Sequence, residues 1–157
     1  MTPADHISSE PHLLIGGTKS NARLREVINH LELGQDTVGE IWANDYENGI
    51  SFEFEGSSLR DLRLRTVFIF VSDDAAVEAT LNQDFRPFAG RLPYDLMREM
   101  GQLEVEAIMG EPVSWRKEIA DSPVGFLGAA MKFELSNSAA ISVEFKNDRI
   151  HRLVVMD

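Results

Sequence analysis

Two six-residue words constrain this chain more than anything else in it: ISFEFE, from Ile50 to Glu55, and ISVEFK, from Ile141 to Lys146. Apolar and polar residues alternate in both. Ile50, Phe52 and Phe54 fall on one side with Ser51, Glu53 and Glu55 on the other; Ile141, Val143 and Phe145 oppose Ser142, Glu144 and Lys146 in the same way. Successive side chains of a strand point to opposite faces, so the pattern predicts strands with one face in the core and one in water. Alternation this clean belongs to antiparallel sheets.

The surroundings of the two words also agree. GSS leads from the first into LRDLRLRTVFIFV, and ND leads from the second into RIHRLVVMD. EIWANDYE and AMKFELS precede them as candidate strands, and a short helix is expected upstream of each, over Asn21 to Leu33 and Gln102 to Met109. The order helix, strand, strand, strand therefore occurs twice, which predicts a tandem duplication. Many antiparallel strands look alike, so the argument rests on the shared order rather than on six matched residues. The expected fold is α+β: two tandem modules of short helix plus antiparallel β-sheet, with the helices on one side of the sheets and the other face open. Residues 1–12 are expected to be a flexible N-terminus, 13–72 the first module, 73–93 a connector that begins with an Asp-initiated short helix, and 94–157 the second module.

In MGQLEVEAIMGEP, Met100 to Pro112, Leu103, Val105, Ile108 and Met109 form a mostly apolar stripe with Leu103 at its edge, while Glu104 and Glu106 face water. Gly110 stands where helices end in a left-handed residue, and Pro112 cannot continue the helix. The glycine reads as a stop. A phosphate-binding loop would need Gly-Lys followed by Ser or Thr, which this stretch lacks; LIGGTKS, Leu13 to Ser20, comes nearer but Thr18 separates Gly17 from Lys19.

That stretch, followed by Trp115 and ISVEFKNDRIHRLVV, resembles the module shared by bacterial outer-membrane-assembly lipoproteins and beta-lactamase-inhibitor-like proteins. The module's helix has the form Met-Ser/Thr-x-x-x-Val-x-x-Leu-Leu-Gly-x-Pro and precedes an antiparallel sheet. Met100, Val105, Ile108, Met109, Gly110 and Pro112 match it, whereas Gly101 stands in place of the usual cap and Glu99 in place of a frequent Gly. The resemblance spans roughly Leu92 to Asp157. PFAGRLPYDL, Pro87 to Leu96, is in addition similar to joints in cytoplasmic bacterial proteins that include toxin immunity proteins. A protein-binding, inhibitory role is what these resemblances imply; with no cysteine to carry a lipid, the lipoprotein branch does not carry over.

Charge narrows the partners. The chain holds 15 Lys plus Arg against 26 Asp plus Glu, a net charge of -11, which opposes binding to nucleic acid or anionic lipid. No membrane partner is expected: the opening MTPADHISSEPH has neither a basic nor an apolar signal region, and no apolar run approaches the ~20 residues of a membrane span. Without cysteine there is no disulfide framework, and a cytoplasmic location is expected.

Chemistry has little support. His6, His12, His30 and His151 include no i,i+4 pair, so no metal is expected. His151, between Arg149 and Arg152, reads as part of a solvated strand face. There is no Gly-x-Ser-x-Gly elbow, and the abundant carboxylates fall on wet strand faces. No catalytic residue and no cofactor are predicted.

From Glu26 to Leu59 there is no Lys or Arg, while Glu26, Glu32, Asp36, Glu40, Asp45, Glu47, Glu53 and Glu55 are all acidic. Trp42 and Tyr46, four apart, share one side of a strand. Aromatic anchors inside an acidic rim suit a basic protein partner. The predicted partner-binding residues are Glu40, Trp42, Asp45, Tyr46, Glu47, Glu53 and Glu55. The same acids could equally coat a solvated face, and burial in the core is the favoured reading of Trp42. Trp115 and Phe126 read as aromatics pinning a loop onto the sheet. The expected function is a non-enzymatic module that neutralises a basic protein, possible examples being toxins; the alternative is a small-molecule or enzymatic domain with a pocket between helices and sheet. Exposed strand edges leave a homodimer open.

Overall fold

The computed structural model describes residues 3–18, 20–29, 31–35, 40–56, 61–79, 85–123 and 125–157. Its centre is one antiparallel sheet of eight strands: β1 (Leu33–Gln35), β2 (Ile41–Asp45), β3 (Ile50–Glu55), β4 (Arg63–Phe70), β5 (Ser114–Arg116), β8 (Ala129–Glu134), β9 (Ala140–Lys146) and β10 (Arg149–Met156). The spatial order is β1-β2-β3-β4-β10-β9-β8-β5. A separate pair, β6 (Ile119–Ser122) and β7 (Gly125–Leu127), lies between β5 and β8 in the chain. The α+β class and the antiparallel sheet are as the alternation requires. The expected separate sheets are instead one continuous sheet, closed where β4 and β10 pair antiparallel from Arg152 opposite Phe70 to Met156 opposite Thr66.

Register carries the core across both halves. One row runs Ala43, Phe52, Val67, Val155, Ile141, Phe133, and the next runs Ile50, Ile69, Leu153, Val143, Met131, Trp115. All but Trp115 are buried. Over this face lie α1 (Pro3–Ser9), α2 (Ala22–Ile28) and α4 (Gln102–Met109), which contribute Ile7, Leu24, Val27 and Val105 to the same apolar cluster.

The beginning of the chain departs from the expected flexibility. Ile7 is fully buried, the 3-10 turn Pro11–Leu14 buries Leu14, and His6 Nε2 lies 3.0 Å from Glu26 Oε2 on α2. Burial of that apolar surface offsets the entropy of ordering a terminus. The helix expected over Asn21 to Leu33 is also shorter. Asn21 caps it by accepting the Leu24 N–H, it ends at Ile28, and Leu33 pairs with Ala43 as the outer strand β1.

Helix α4 spans the expected residues and stops at Gly110, whose φ of +90 is costly for residues with a Cβ. Asp148, in the β9–β10 turn, accepts the Gln102 N–H at 3.1 Å and so supplies the cap that Gly101 lacks. The connector opens with α3 (Asp73–Ala79), but its cap is Ser72 rather than Asp73: Ser72 Oγ accepts the Ala75 N–H.

Candidate functional site

The sheet face turned away from α1, α2 and α4 carries the alternate residues. One row runs from β2 to β5 as Asn44, Ser51, Phe68, Val154, Ser142, Lys132, Ser114; a second reads Trp42, Glu53, Thr66, Met156, Ala140, Glu134. This face is not wholly bare. Helix α3 packs Ala75 and Ala76 onto Phe70, with Phe68 and Phe85 against them, and roofs one corner. Beyond that corner, which Phe85 extends to Tyr46, the face carries half-buried or exposed side chains at both ends: Trp42 and Asn44 on β2, and Lys132, Glu134 and Ser114 on β8 and β5.

Trp42 and Asn44 on β2 and Tyr46 just past its end form a line of alternate residues, each half-buried. Trp42 leans on Phe68 with ring centroids 5.7 Å apart, and Tyr46 on Phe85 at 4.5 Å. Asn44 donates to the Tyr46 hydroxyl at 3.2 Å and accepts from Ser51 at 2.5 Å, so the polar member of the line is held in place by its neighbours. The three residues, with Leu31, Glu32, Leu33 and Gly34, line a cleft of about 460 Å³. Trp42 is thus half-buried on the sheet side opposite the core, contrary to the favoured reading of it as a core residue.

The predicted contact residues divide. Glu40 and Glu47 are exposed at the two ends of β2, and Glu55 is exposed on β3. Glu53 sits opposite Trp42 with its carboxylate 4.0 Å from Arg65, and Glu55 faces Arg63 in register. Asp45 does not belong to this surface. It is three residues from Trp42, hence on the other side of the strand, and is only 5% exposed; its carboxylate accepts the backbone N–H and the side-chain amide of Asn48, at 3.3 and 2.8 Å, closing the β2–β3 turn.

Across the seam the face is balanced in charge rather than acidic. Arg152 grips Glu144 through two nitrogens, Arg116 approaches the same carboxylate at 3.7 Å across the small Ala130, and Arg152 also lies over the Phe68 ring. Exposed acidity on this side is found at the β1–β2 border and the turn after β2, where Glu32, Glu40 and Glu47 reach solvent. Sequence reasoning missed Asn44 and Phe68. Asn44 is legible as the residue between two aromatics of the same parity, but Phe68 comes beside Trp42 only through the pairing of three strands.

A cleft of about 700 Å³ opens at the end of the sheet below α3, and its lining includes Asp74, Arg98, Lys146, Arg149 and His151. His151 is buried, not part of a solvated face, because the strand bulge between Ile150 and Arg152 carries it against Ser72, with Nδ1 2.8 Å from Ser72 Oγ. Lys146 bonds Asp74 at 3.0 Å, and Arg98 donates to the Phe88 and Gly90 carbonyls. The hydrogen bond from Lys146, then its charge, holds the Asp74 carboxyl below its ordinary pKa, against a smaller opposing effect of burial. These groups engage one another and the backbone.

No cluster of three or more His, Asp or Glu placed to hold a metal ion occurs among the described residues. No described helix is long and apolar enough to cross a membrane. Trp115 is exposed rather than pinning a loop, and Phe126 falls among residues whose side chains the structure does not describe. Comparison with protein families, characterised proteins and solved structures finds no match for the chain.

Proposed function

We propose that this chain is a non-catalytic protein-binding module that neutralises a basic protein partner, in the manner of a toxin immunity protein. The observation that carries the reading is the Trp42–Asn44–Tyr46 line on the sheet face away from the three core-covering helices, bordered by exposed Glu32, Glu40 and Glu47 in a stretch without Lys or Arg. Rigid aromatic side chains supply contact area at little entropic cost, and exposed carboxylates speed encounter with a cationic surface. The docking surface is accordingly the β1–β2 border, narrower than the whole face. The order β1-β2-β3-β4 followed by its mirror image β10-β9-β8-β5 supports the companion proposal that the chain is a tandem pair of like modules, as the resemblance to beta-lactamase-inhibitor-like proteins implies.

The test is affinity capture with the tagged chain from lysate of its host, repeated with a Trp42→Ala, Glu40→Lys, Glu47→Lys variant of unchanged circular dichroism. A basic protein retained by the parent, released by salt and lost by the variant supports the reading, and co-expression should then suppress that protein's toxicity. Equal capture by both, or no basic protein captured, overturns it.

A further inference from the structure

The large apolar side chains that stand exposed among the described residues fall between Met97 and Ile119: Met97, Leu103, Ile108, Val113, Trp115 and Ile119. Single exposed apolar residues are ordinary, but their concentration in one short stretch is not. Helix α4 buries Val105 and half-buries Met109, while Leu103 is 84% exposed and Ala107, one turn on, is exposed as well. Its outer side thus offers an i,i+4 ridge of the kind that a second helix packs against. A helix apolar on opposite sides is one that lies between two layers.

The neighbouring strand edge makes the same point independently. Trp115 ends a core row that is buried from Ile50 to Met131, yet it is 60% exposed because β5 is the outermost strand. Gln102, at the start of α4, and Trp115, Lys117 and Glu118 line one cleft of about 470 Å³, so the first turn of α4, which carries Leu103, adjoins the aromatic. Glu99, Glu104, Glu106, Glu111 and Glu118 stand exposed around them. Of the local cations, Arg98 and Arg116 turn to the carbonyls of Phe88, Gly90 and Gly128, which leaves Lys117 and Arg149 exposed against five exposed carboxylates. A second copy would set these carboxylates against themselves; a cationic apolar partner would not.

We propose that the outer side of α4 and the β5 edge dock a basic amphipathic helix of another protein, separately from the β1–β2 border. The test uses the full chain carrying Trp42→Phe, so that Trp115 reports alone, titrated with a synthetic amphipathic helix of Leu and Lys and with its Leu and Glu counterpart. Expected are a saturable blue shift with the Lys helix, weakening as salt rises, and a loss of about tenfold in affinity on Leu103→Ser with Ala107→Ser, both exposed on the ridge and so neutral to folding. Adding Glu40→Lys at the β2 border should leave the titration unchanged. Equal binding of the Glu helix, unchanged affinity in the double Ser variant, absence of saturation, or a dimer in sedimentation that Leu103→Ser dissolves would each overturn the proposal.

Discussion

The ring nitrogen Nδ1 of His12 lies 2.8 Å from the hydroxyl of Tyr94, which also accepts the His12 backbone N–H at 3.2 Å. This one hydroxyl ties the beginning of the chain to the connector before α4. Tyr94 adopts a left-handed φ of +59, unusual for a bulky residue, and the adjoining Asp95 does the same with its carboxylate held by Arg91 at 2.9 Å. The contact is the kind of over-determination that keeps such a backbone in place.

Replacing Tyr94 by Phe keeps the ring and removes both bonds. The expected cost is about 1–3 kcal/mol, since a buried donor and a buried ring nitrogen lose their partner. A lower urea midpoint with unchanged slope, and faster amide exchange over Pro3–Ser9, would register it; unchanged exchange would detach the anchor from this residue.

Burial raises the Tyr94 pKa, the backbone hydrogen bond from His12 opposes the rise, and the charge of Glu10 adds to it. The folded state therefore holds the phenolic proton more tightly than the unfolded one. That stabilisation is complete below the ordinary phenol value of about 10 and is lost as pH climbs through the folded value. In an alkaline titration followed at the tyrosinate band, Tyr94 should ionise late and with unfolding, and the Phe variant should lose less stability over the same range.

Asp74 shows the opposite sign. Its carboxyl is held below the ordinary value by Lys146, so the contribution to stability is present above about pH 4 and fades as pH falls through the lowered value. Carbon-detected NMR titration should find the Asp74 pKa moved up toward normal in Lys146→Met, and partly so in high salt. No change in that variant would assign the shift elsewhere.

Asp45→Ala should destabilise by about 1–3 kcal/mol through loss of the two bonds to Asn48, while leaving partner capture intact in the folded fraction. A binding defect without a stability defect would return Asp45 to the docking surface.

Gly49 has a φ of +65, and a Cβ there would collide with the backbone carbonyl of Arg86. Gly49→Ala should therefore cost more than the roughly 1 kcal/mol of a strained glycine substitution alone. Thermal unfolding measures it, and a rise in the midpoint would contradict the close approach.

Much of this architecture was legible where the signal is local. The alternation of Ile50 to Glu55 and Ile141 to Lys146 needs no partner to be read, and Gly110 ends α4 by its own backbone. The row on β2 was half legible, because parity alone puts Trp42, Asn44 and Tyr46 together and sends Asp45 to the other side. The charge balance was not legible. A window along the chain sees Glu53 and Glu55 without cations, whereas the sheet brings Arg65 and Arg63 to them from the next strand. Burial of Ile7 depends likewise on α2 and the sheet lying beneath it, and nothing in the opening residues announces that.

The antiparallel seam between β4 and β10 joins residues far apart along the chain, Val67 meeting Val155 and Ile69 meeting Leu153. During synthesis the earlier half must wait, with one apolar border unsatisfied, until its distant mate emerges. A chain severed within the connector would yield two fragments with matching raw borders, able to reassociate as a noncovalent pair or to exchange mates between molecules. Recombining separately produced halves, Met1 to Ala79 and Gln83 to Asp157, would reveal which route the borders take.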